Sequence, residues 1–234
     1  MEKVINFYNF IGEMKLTYIK KACQLTDQIL NQTFQHFSQF KTEKDVGDFI
    51  SSQIKKLGLK PAFPMIVASE RNHHHIHHYP KKHKLAGFTI IDLGVKYKGY
   101  CSDLSRTIFV GRPKKSDLKL YDLLLKTQQK TIKRIKIGQK YADLDAFART
   151  QLQPFQKYFK HGLGHGVGRK IHQKPRISPH SQDKIKFGDV ITIEPGIYKK
   201  NFFGLRIEDT IYIGKKIQVL THSPKKLRVF PQHL

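Results

Sequence analysis

The sequence of 234 residues is long enough for one hydrophobic core of ordinary size and too short for two independent domains with separate cores. Its 39% hydrophobic and 11% aromatic residues are typical of a globular protein, and no apolar run approaches the roughly 20 residues that cross a bilayer. The net charge of +25 predicts weak adhesion to anionic polymers, but the lysines are scattered along the chain, which favours a solvated surface over a specific nucleic-acid site.

The amino-terminal segment, MEKVINFYNFIGEMK, lacks the charged-then-apolar layout of a secretory signal peptide. The chain has two cysteines, Cys23 and Cys101, and neither belongs to a C-x-x-C pair or a zinc-ribbon spacing. We expect both to be small buried hydrophobes in a reducing cytosol. A cytoplasmic protein without membrane contact is therefore predicted.

Helical spacing dominates the first quarter of the chain, where apolar residues recur every three or four positions across 12–58. A second helix is expected to begin at Thr42, a capping residue that is followed by the acids Glu43 and Asp45. The run HHHIHH at 73–78 comes after a short apolar segment. It predicts a solvated loop, with metal scavenging as the alternative.

Strand patterns appear in two regions separated by a second helical region at 117–159. The predicted strands are 88–92, 100–110, 190–194 and 205–213. The two β regions resemble one another, since Asp92 corresponds to Glu194 and Gly111 to Gly214, at offsets of 102 and 103 residues. A duplicated α-plus-hairpin unit is the simplest interpretation. We therefore predict an α+β fold whose helices cover one face of a mostly antiparallel sheet.

The first predicted hairpin carries two acids at related places. Asp92 and Asp103 straddle a turn centred between Tyr97 and Lys98, so a regular hairpin would place them directly opposite each other. The β-carbons of such a pair lie about 4.5–5.5 Å apart, and like charges there are destabilising. Each acid either pairs with a lysine, lies on a solvated face or shares a cation with its neighbour.

The second predicted hairpin repeats the arrangement, with Glu194 and Glu208 symmetric about Asn201. Four acids within apolar strands are too many to bury unpaired, because each isolated carboxylate costs roughly several kcal/mol to desolvate. Two matched pairs favour bound cations over lysine partners.

A glycine-rich segment, HGLGHGVG at 161–168, supplies candidate histidine ligands, and His172 follows it. Alternating glycines argue against a helical zinc motif, and the segment lacks the lysine-serine or lysine-threonine end of a phosphate loop. A histidine nitrogen with carboxylate oxygens suits manganese, cobalt, iron or zinc. Two such ions about 3.5–4 Å apart can share a hydroxide that is a nucleophile at neutral pH.

Together these motifs resemble the pita-bread metallopeptidases, specifically aminopeptidase P and prolidase. The resemblance runs from about residue 14 to residue 227 and is carried by IDLG (91–94), GYCSDLSRT (99–107), HGLGHGVG (161–168), TIEPGIY (192–198) and RIED (206–209). It implies a pita-bread (creatinase/aminopeptidase) fold with a curved sheet and a pseudo-two-fold internal repeat. The expected unit is a single catalytic domain over residues 1–234, without the separate N-terminal domain of typical members.

The resemblance also implies two divalent metal ions, with Mn²⁺ as the first expectation and Co²⁺, Zn²⁺ or Fe²⁺ as alternatives. Asp92 would hold one ion, and Asp103 and Glu208 would bridge both. His165 and Glu194 would complete the other, and Glu194 would also serve as general base for the bridging hydroxide.

Other histidines match catalytic positions of the family. His172 would stabilise the tetrahedral oxyanion, and His161 would line the pocket on the proline side. His78 best matches the upstream histidine that assists the reaction, with His77 as the alternative because the stretch before the first ligand is short.

Tyr198 and Arg206 match family positions that orient metal ligands. One departure is Gln173, which stands where an acid commonly follows the His172 position.

The implied activity is hydrolysis of Xaa-Pro bonds in short peptides with proline at the second position. EPGIY at 194–198 favours this branch over methionine aminopeptidases, which usually have Glu-Pro-Met there. A methionine aminopeptidase and a non-catalytic module that binds nucleic acid are the alternatives. The sequence leaves the metal, the accepted peptide length and assembly as a homodimer open.

Overall fold

The computed structural model describes residues 2–232, in which four α-helices and fourteen β-strands are found. The helices are Glu2–Gln35 (α1), Glu43–Lys56 (α2), Lys115–Lys133 (α3) and Tyr141–Gln151 (α4). The strands are Lys60–Pro61 (β1), Ile66–Ser69 (β2), Gly87–Leu93 (β3), Val95–Tyr97 (β4), Tyr100–Cys101 (β5), Leu104–Val110 (β6), Gly164–Gly166 (β7), Gln173–Ile177 (β8), Val190–Ile193 (β9), Gly196–Lys199 (β10), Phe203–Arg206 (β11), Asp209–Ile213 (β12), Ile217–Val219 (β13) and Val229–Phe230 (β14).

Helix α2 begins where the sequence predicts. The Thr42 hydroxyl accepts a hydrogen bond from the Asp45 backbone N–H at 3.2 Å, and the Asp45 carboxylate accepts one from the Thr42 N–H at 2.9 Å. This reciprocal capping box satisfies two backbone donors that the first turn leaves free. The second helical region is divided into α3 and α4 by a segment that includes Gly138, whose φ of 87° ends helical geometry.

The described strands form four hydrogen-bonded sheets, and every pairing is antiparallel except that of β14 with β6. β3 lies between β2 and β6, and the three-stranded sheet β1-β4-β5 continues this first hairpin. β9 lies between β7 and β12 in a five-stranded sheet, and β10-β11 continue this second hairpin. The predicted α+β, mostly antiparallel architecture is confirmed, with the strands divided among four sheets.

Each hairpin unit packs against its own pair of helices. Ile29 of α1 and Ile50 of α2 are fully buried in one cluster with residues of β3 and β6. Leu124 of α3 and Leu144 of α4 are fully buried in another with residues of β9 and β12. Burying each such side chain contributes roughly 1.5–3 kcal/mol. Within residues 2–232, no helix combines the length and apolar character needed to cross a membrane.

Reciprocal hydrogen bonds join the two hairpin units. The Thr107 hydroxyl donates to the backbone oxygen of Arg206 at 2.8 Å, and the Thr210 hydroxyl donates to the backbone oxygen of Asp103 at 2.8 Å. Donors and acceptors are both related by an offset of 103 residues. Each half therefore makes the same contact with the other, as a pseudo-two-fold internal repeat requires.

The first hairpin differs from the prediction in its register. β3 and β6 pair Asp92 with Ser105, and the turn consists of Lys98 and Gly99, whose φ angles are 49° and 82°. Two successive positive φ angles define a tight hairpin turn, which the sequence analysis centred one residue too early. The prediction that Asp103 lies directly opposite Asp92 is therefore wrong. A two-residue shift preserves the face, because side chains alternate with a period of two.

The second hairpin has the predicted register. Ile193 pairs with Asp209 on one side of the acids, and Gly196 pairs with Arg206 on the other. The register is the same in both pairings, so Glu194 lies opposite Glu208. The connecting turn contains Asn201 with a φ of 63°, a conformation that asparagine tolerates better than most residues.

Candidate metal centre

A cavity of about 360 Å³ is lined by residues of both hairpin units. All five predicted metal ligands contribute to its walls. They are Asp92 in β3, Asp103 between β5 and β6, His165 in β7, Glu194 directly after β9 and Glu208 directly before β12.

Glycines bring β7 close enough to its neighbours to place His165 in this cavity. A β-carbon at Gly164 would lie 2.1 Å from the backbone oxygen of Thr192, and one at Gly166 would lie 2.3 Å from that of Lys174. Only glycine fits at both positions. The alternating glycines of the sequence therefore serve close packing between strands.

The ligand atoms converge around His165. Its Nε2 lies 3.5 Å from Asp103 Oδ2 and 3.4 Å from Glu194 Oε1. Asp103, His165 and Glu208 each offer one ligand atom, and these three atoms all lie within 4.8 Å of one another. Glu208 is oriented by the Ser105 hydroxyl, which donates to its Oε2 at 2.8 Å. These groups can approach one ion together.

Asp92 supplies direct support for a bound cation. Its Oδ2 accepts a hydrogen bond from Arg206 Nη2 at 2.5 Å, whereas its buried Oδ1 has no hydrogen-bond partner among the described residues. An unsatisfied buried polar atom costs roughly 1–3 kcal/mol. No lysine of the described chain forms an ion pair with any of the four acids, so the lysine alternative fails. The residues fit divalent ions.

The electrostatics agree with this assignment. Burial raises the pKa of Asp103 and of Glu208 well above their ordinary values, and neighbouring carboxylates raise both further. Burial raises the pKa of Glu194 to about 8, although Arg206 opposes the shift. Burial also lowers the pKa of His165 to about 4, which keeps its ring neutral at pH 7. The raised pKa values mean that this group of acids favours a bound positive charge, which either protons or a cation can supply.

Tyr198, Arg206 and His161 form a chain of hydrogen bonds beside the acids. Arg206 Nη1 donates to the Tyr198 hydroxyl at 2.9 Å, and that hydroxyl lies 3.0 Å from His161 Nε2. Arg206 thus touches Asp92 directly, whereas Tyr198 acts on it through Arg206. His161 lines the cavity, and its Nδ1 lies 4.0 Å from Glu194 Oε2. The catalytic roles of these residues remain predictions.

The cavity wall also includes His172 and Arg176, a residue not predicted from the sequence. The His172 ring is exposed and lies 4.3 Å from that of His165, centroid to centroid. Arg176 also lines the cavity, and within the described residues its guanidinium makes no hydrogen bond or ion pair. The alternation of an extended segment gives no signal for it, because Gln173 lines the cavity and Lys174 does not, and the pairing of β7 with β8 shifts register within this stretch.

The histidine run behaves differently from the prediction. His78 is 7% exposed, and its Nε2 lies 2.8 Å from Glu43 Oε2, outside the cavity. His77 is exposed and lines the cavity, whereas His78 does not; the catalytic assignment of either histidine stays a prediction. The expected loop is present at 71–78 and is solvated in part, because His75 and His77 are exposed whereas His73, at 4% exposure, and His78 are buried.

Comparison with known proteins identifies relatives over most of the chain. A family described as metallopeptidase family M24 matches residues 17–215. The Xaa-Pro dipeptidase of Pyrococcus horikoshii is 36% identical over 209 residues, which cover 87% of this chain and 60% of that protein. The chain thus spans about three fifths of the length of this relative.

Solved structures agree with the sequence match. The prolidase from Thermococcus sibiricus has a TM-score of 0.88 and 34% identity, covering 93% of this chain and 61% of that one. The X-Pro aminopeptidase from Thermotoga maritima has a TM-score of 0.87 and 29% identity, covering 93% and 63%. These similarities confirm the pita-bread fold that the sequence predicted.

Proposed function

This chain belongs to metallopeptidase family M24, and from that membership we propose that it is a metal-dependent exopeptidase that hydrolyses Xaa-Pro peptide bonds. The observation that carries the proposal is the complete set of five metal-ligating side chains on the walls of one cavity. The preference for proline rests on relatives named Xaa-Pro dipeptidase and prolidase, of which this chain covers 60% and 61%.

Two divalent ions are proposed as cofactors, with Mn²⁺ first and Co²⁺, Zn²⁺ or Fe²⁺ as alternatives. Ions bound there would make a nucleophile available from water at neutral pH and would polarise the scissile carbonyl. The residues that would hold them are Asp92, Asp103, His165, Glu194 and Glu208. The partnerless oxygen of Asp92 and the raised pKa values of the other acids support this set.

Glu194 is the proposed general base that takes a proton from the attacking water. The Thr192 hydroxyl donates to its Oε1 at 3.3 Å and orients the carboxylate. As a metal ligand Glu194 would be deprotonated, which is the form that a general base requires.

His77 and His172 are the proposed hydrogen-bond donors to the carbonyl oxygen as it gains negative charge. Both line the cavity and carry ring nitrogens that can donate. His161, held by Tyr198, would line the side of the cavity that receives the prolyl ring.

Arg176 is proposed to bind the terminal carboxylate of a short substrate. Its free guanidinium lies on the cavity wall near His172, and guanidinium groups bind carboxylates in bidentate geometry. This assignment favours Xaa-Pro dipeptides over longer peptides.

A substrate panel tests the proposal. Purified protein with Mn²⁺ or Co²⁺ is offered Xaa-Pro dipeptides, Xaa-Pro-containing tripeptides and methionyl peptides. We expect turnover of Xaa-Pro dipeptides that a chelator abolishes and added metal restores. Cleavage of methionyl peptides alone would replace the proposal with a methionine aminopeptidase. No turnover together with tight, salt-sensitive RNA binding would replace it with a non-catalytic module.

A further inference from the structure

Glu43, the first residue of α2, binds a loop that carries a cavity residue. Its side chain is fully buried, and its two oxygens accept four hydrogen bonds. Oε1 accepts from the Ser69 N–H at 2.8 Å and from Asn72 Nδ2 at 2.9 Å. Oε2 accepts from His78 Nε2 at 2.8 Å and from the Lys81 N–H at 3.2 Å. All four donors belong to the segment 69–81.

This segment needs such an anchor because it contains no regular structure between β2 and Gly87. His77 lies within it, and the residues on either side are both held. His78 donates to Glu43, and the backbone oxygen of Ile76 accepts from Arg206 Nη1 at 3.4 Å. The loop is therefore fixed on both sides of the histidine that reaches the cavity.

Capping does not explain this carboxylate. Thr42 and Asp45 already form the capping box of α2, which leaves the Glu43 side chain available for the loop. A buried carboxylate is retained only where donors satisfy it, because desolvation of an isolated one costs roughly several kcal/mol. Its position at a helix N-terminus adds a favourable dipole interaction.

We propose that Glu43 is a positioning residue for hydrolysis, which holds His77 in the cavity by binding His78 and the backbone of the loop. The inference rests on the proposed function, because His77 matters only if the cavity is catalytic. Glu43 itself does not line the cavity and does not touch the metal ligands.

The test is Glu43→Gln, which replaces one acceptor oxygen with an NH₂ group, itself a donor, that would face the donors of the loop. We expect kcat for an Xaa-Pro dipeptide to fall about 10- to 100-fold, since small displacements of catalytic groups have effects of this size. KM and Mn²⁺ affinity should change by less than about 2-fold, because the ligands lie on other elements. Asp45→Ala is the matched control: it destabilises the same helix end and should keep kcat.

A double-mutant cycle separates positioning from general destabilisation. If Glu43 acts through His77, adding Glu43→Gln to His77→Ala should lower kcat by less than about 2-fold more. Independent losses in the double variant, or unchanged kcat in Glu43→Gln, would overturn the proposal. Should Glu43→Gln not fold, Glu43→Asp provides the same comparison with a shortened acceptor.

Hydrogen exchange keeps this test distinct from that of the proposed function. In Glu43→Gln, amides of residues 72–81 should exchange at least about 10-fold faster, while those of β3 and β6 stay unchanged. Unchanged exchange in the loop would overturn the positioning role whatever the substrate panel gives. Failure of wild-type protein to cleave any Xaa-Pro peptide would instead overturn the proposed function.

Discussion

Arg106 and Asp209 form a buried ion pair at equivalent positions of the internal repeat, 103 residues apart in sequence. Arg106 Nη2 lies 2.8 Å from Asp209 Oδ1, and the two side chains are 2% and 0% exposed. Burial alone would raise the pKa of Asp209, but Arg106 and then Lys225 lower it below its ordinary value. The pair therefore ties the two hairpin units together.

Replacing Arg106 by Leu should destabilise the fold strongly. The change removes hydrogen bonds to the backbone oxygens of Ser223 and Glu208 as well as the partner of Asp209. We expect the free energy of unfolding, measured in urea, to fall by roughly 3–5 kcal/mol, which is the cost of removing one partner of a buried ion pair. The control is Lys126→Met, in an exposed pair, where a loss below about 1 kcal/mol is expected. Equal effects of the two changes would contradict the structural role.

Asp103→Asn should separate metal binding from folding. Burial and neighbouring carboxylates raise the pKa of Asp103, so folding without a cation costs either a buried charge or the uptake of a proton, and a neutral amide avoids both. We expect an unchanged or higher melting temperature without metal, loss of the stabilisation that Mn²⁺ gives wild type, and no peptidase activity. Asp122→Asn, an exposed acid on α3, is the matched control. A fully active Asp103→Asn protein would rule out a ligand role.

Metal affinity should rise with pH. Burial raises the pKa of Glu194 to about 8, so this acid would hold a proton near pH 7 when no cation is bound. Burial and neighbouring carboxylates also raise the pKa values of Asp103 and Glu208. Binding of a cation must displace such protons. Calorimetry of Mn²⁺ binding in buffers of different ionisation enthalpy should detect proton release near pH 7, with affinity increasing between about pH 6 and pH 8. Affinity that is independent of pH would mean that the acids are already ionised.

His77 and His78 should respond differently to the same substitution. The amide of His78→Gln can still donate to Glu43, so this variant should keep most of the wild-type kcat. His77→Gln removes the imidazole from the cavity, and kcat should fall about 100-fold or more, as for loss of a proton-transfer or oxyanion-stabilising group. Steady-state assays at saturating metal make the comparison. The reverse pattern would restore the assignment made from sequence.

Regular elements with strong local signals were the predictable part of the fold. Thr42 and Asp45 fixed the start of α2 through short-range chemistry, and the symmetric spacing of Glu194 and Glu208 about Asn201 gave the second hairpin its register. Such features depend on a few neighbouring residues. The four acids were selected by their spacing within the strand patterns, whereas the choice of His165 came from the family resemblance; the structure brings all five side chains to one cavity.

Features set by tertiary contacts were not predictable. The first hairpin turns at Lys98 and Gly99, and nothing in the flanking alternation distinguishes that turn from one a residue earlier. Which histidine of the run is buried depends on Glu43, which binds His78 although it lies 35 residues earlier in the sequence. No local periodicity reports such a distant partner.

Arg176 places a positive charge on the cavity wall, and no acid of the described chain forms an ion pair with it. Arg176→Met should raise KM for an Xaa-Pro dipeptide about 10-fold, while kcat changes little, since a carboxylate contact remote from the scissile bond binds substrate and transition state alike. The amide of the same dipeptide lacks the carboxylate, so its KM should respond by less than about 2-fold. Lys174→Met is the matched control. Lys174 is an exposed cation of the same strand, and its side chain does not line the cavity. An equal rise in KM for the dipeptide and for its amide would show that Arg176 does not bind the terminal carboxylate. The preference for dipeptides would then need another explanation.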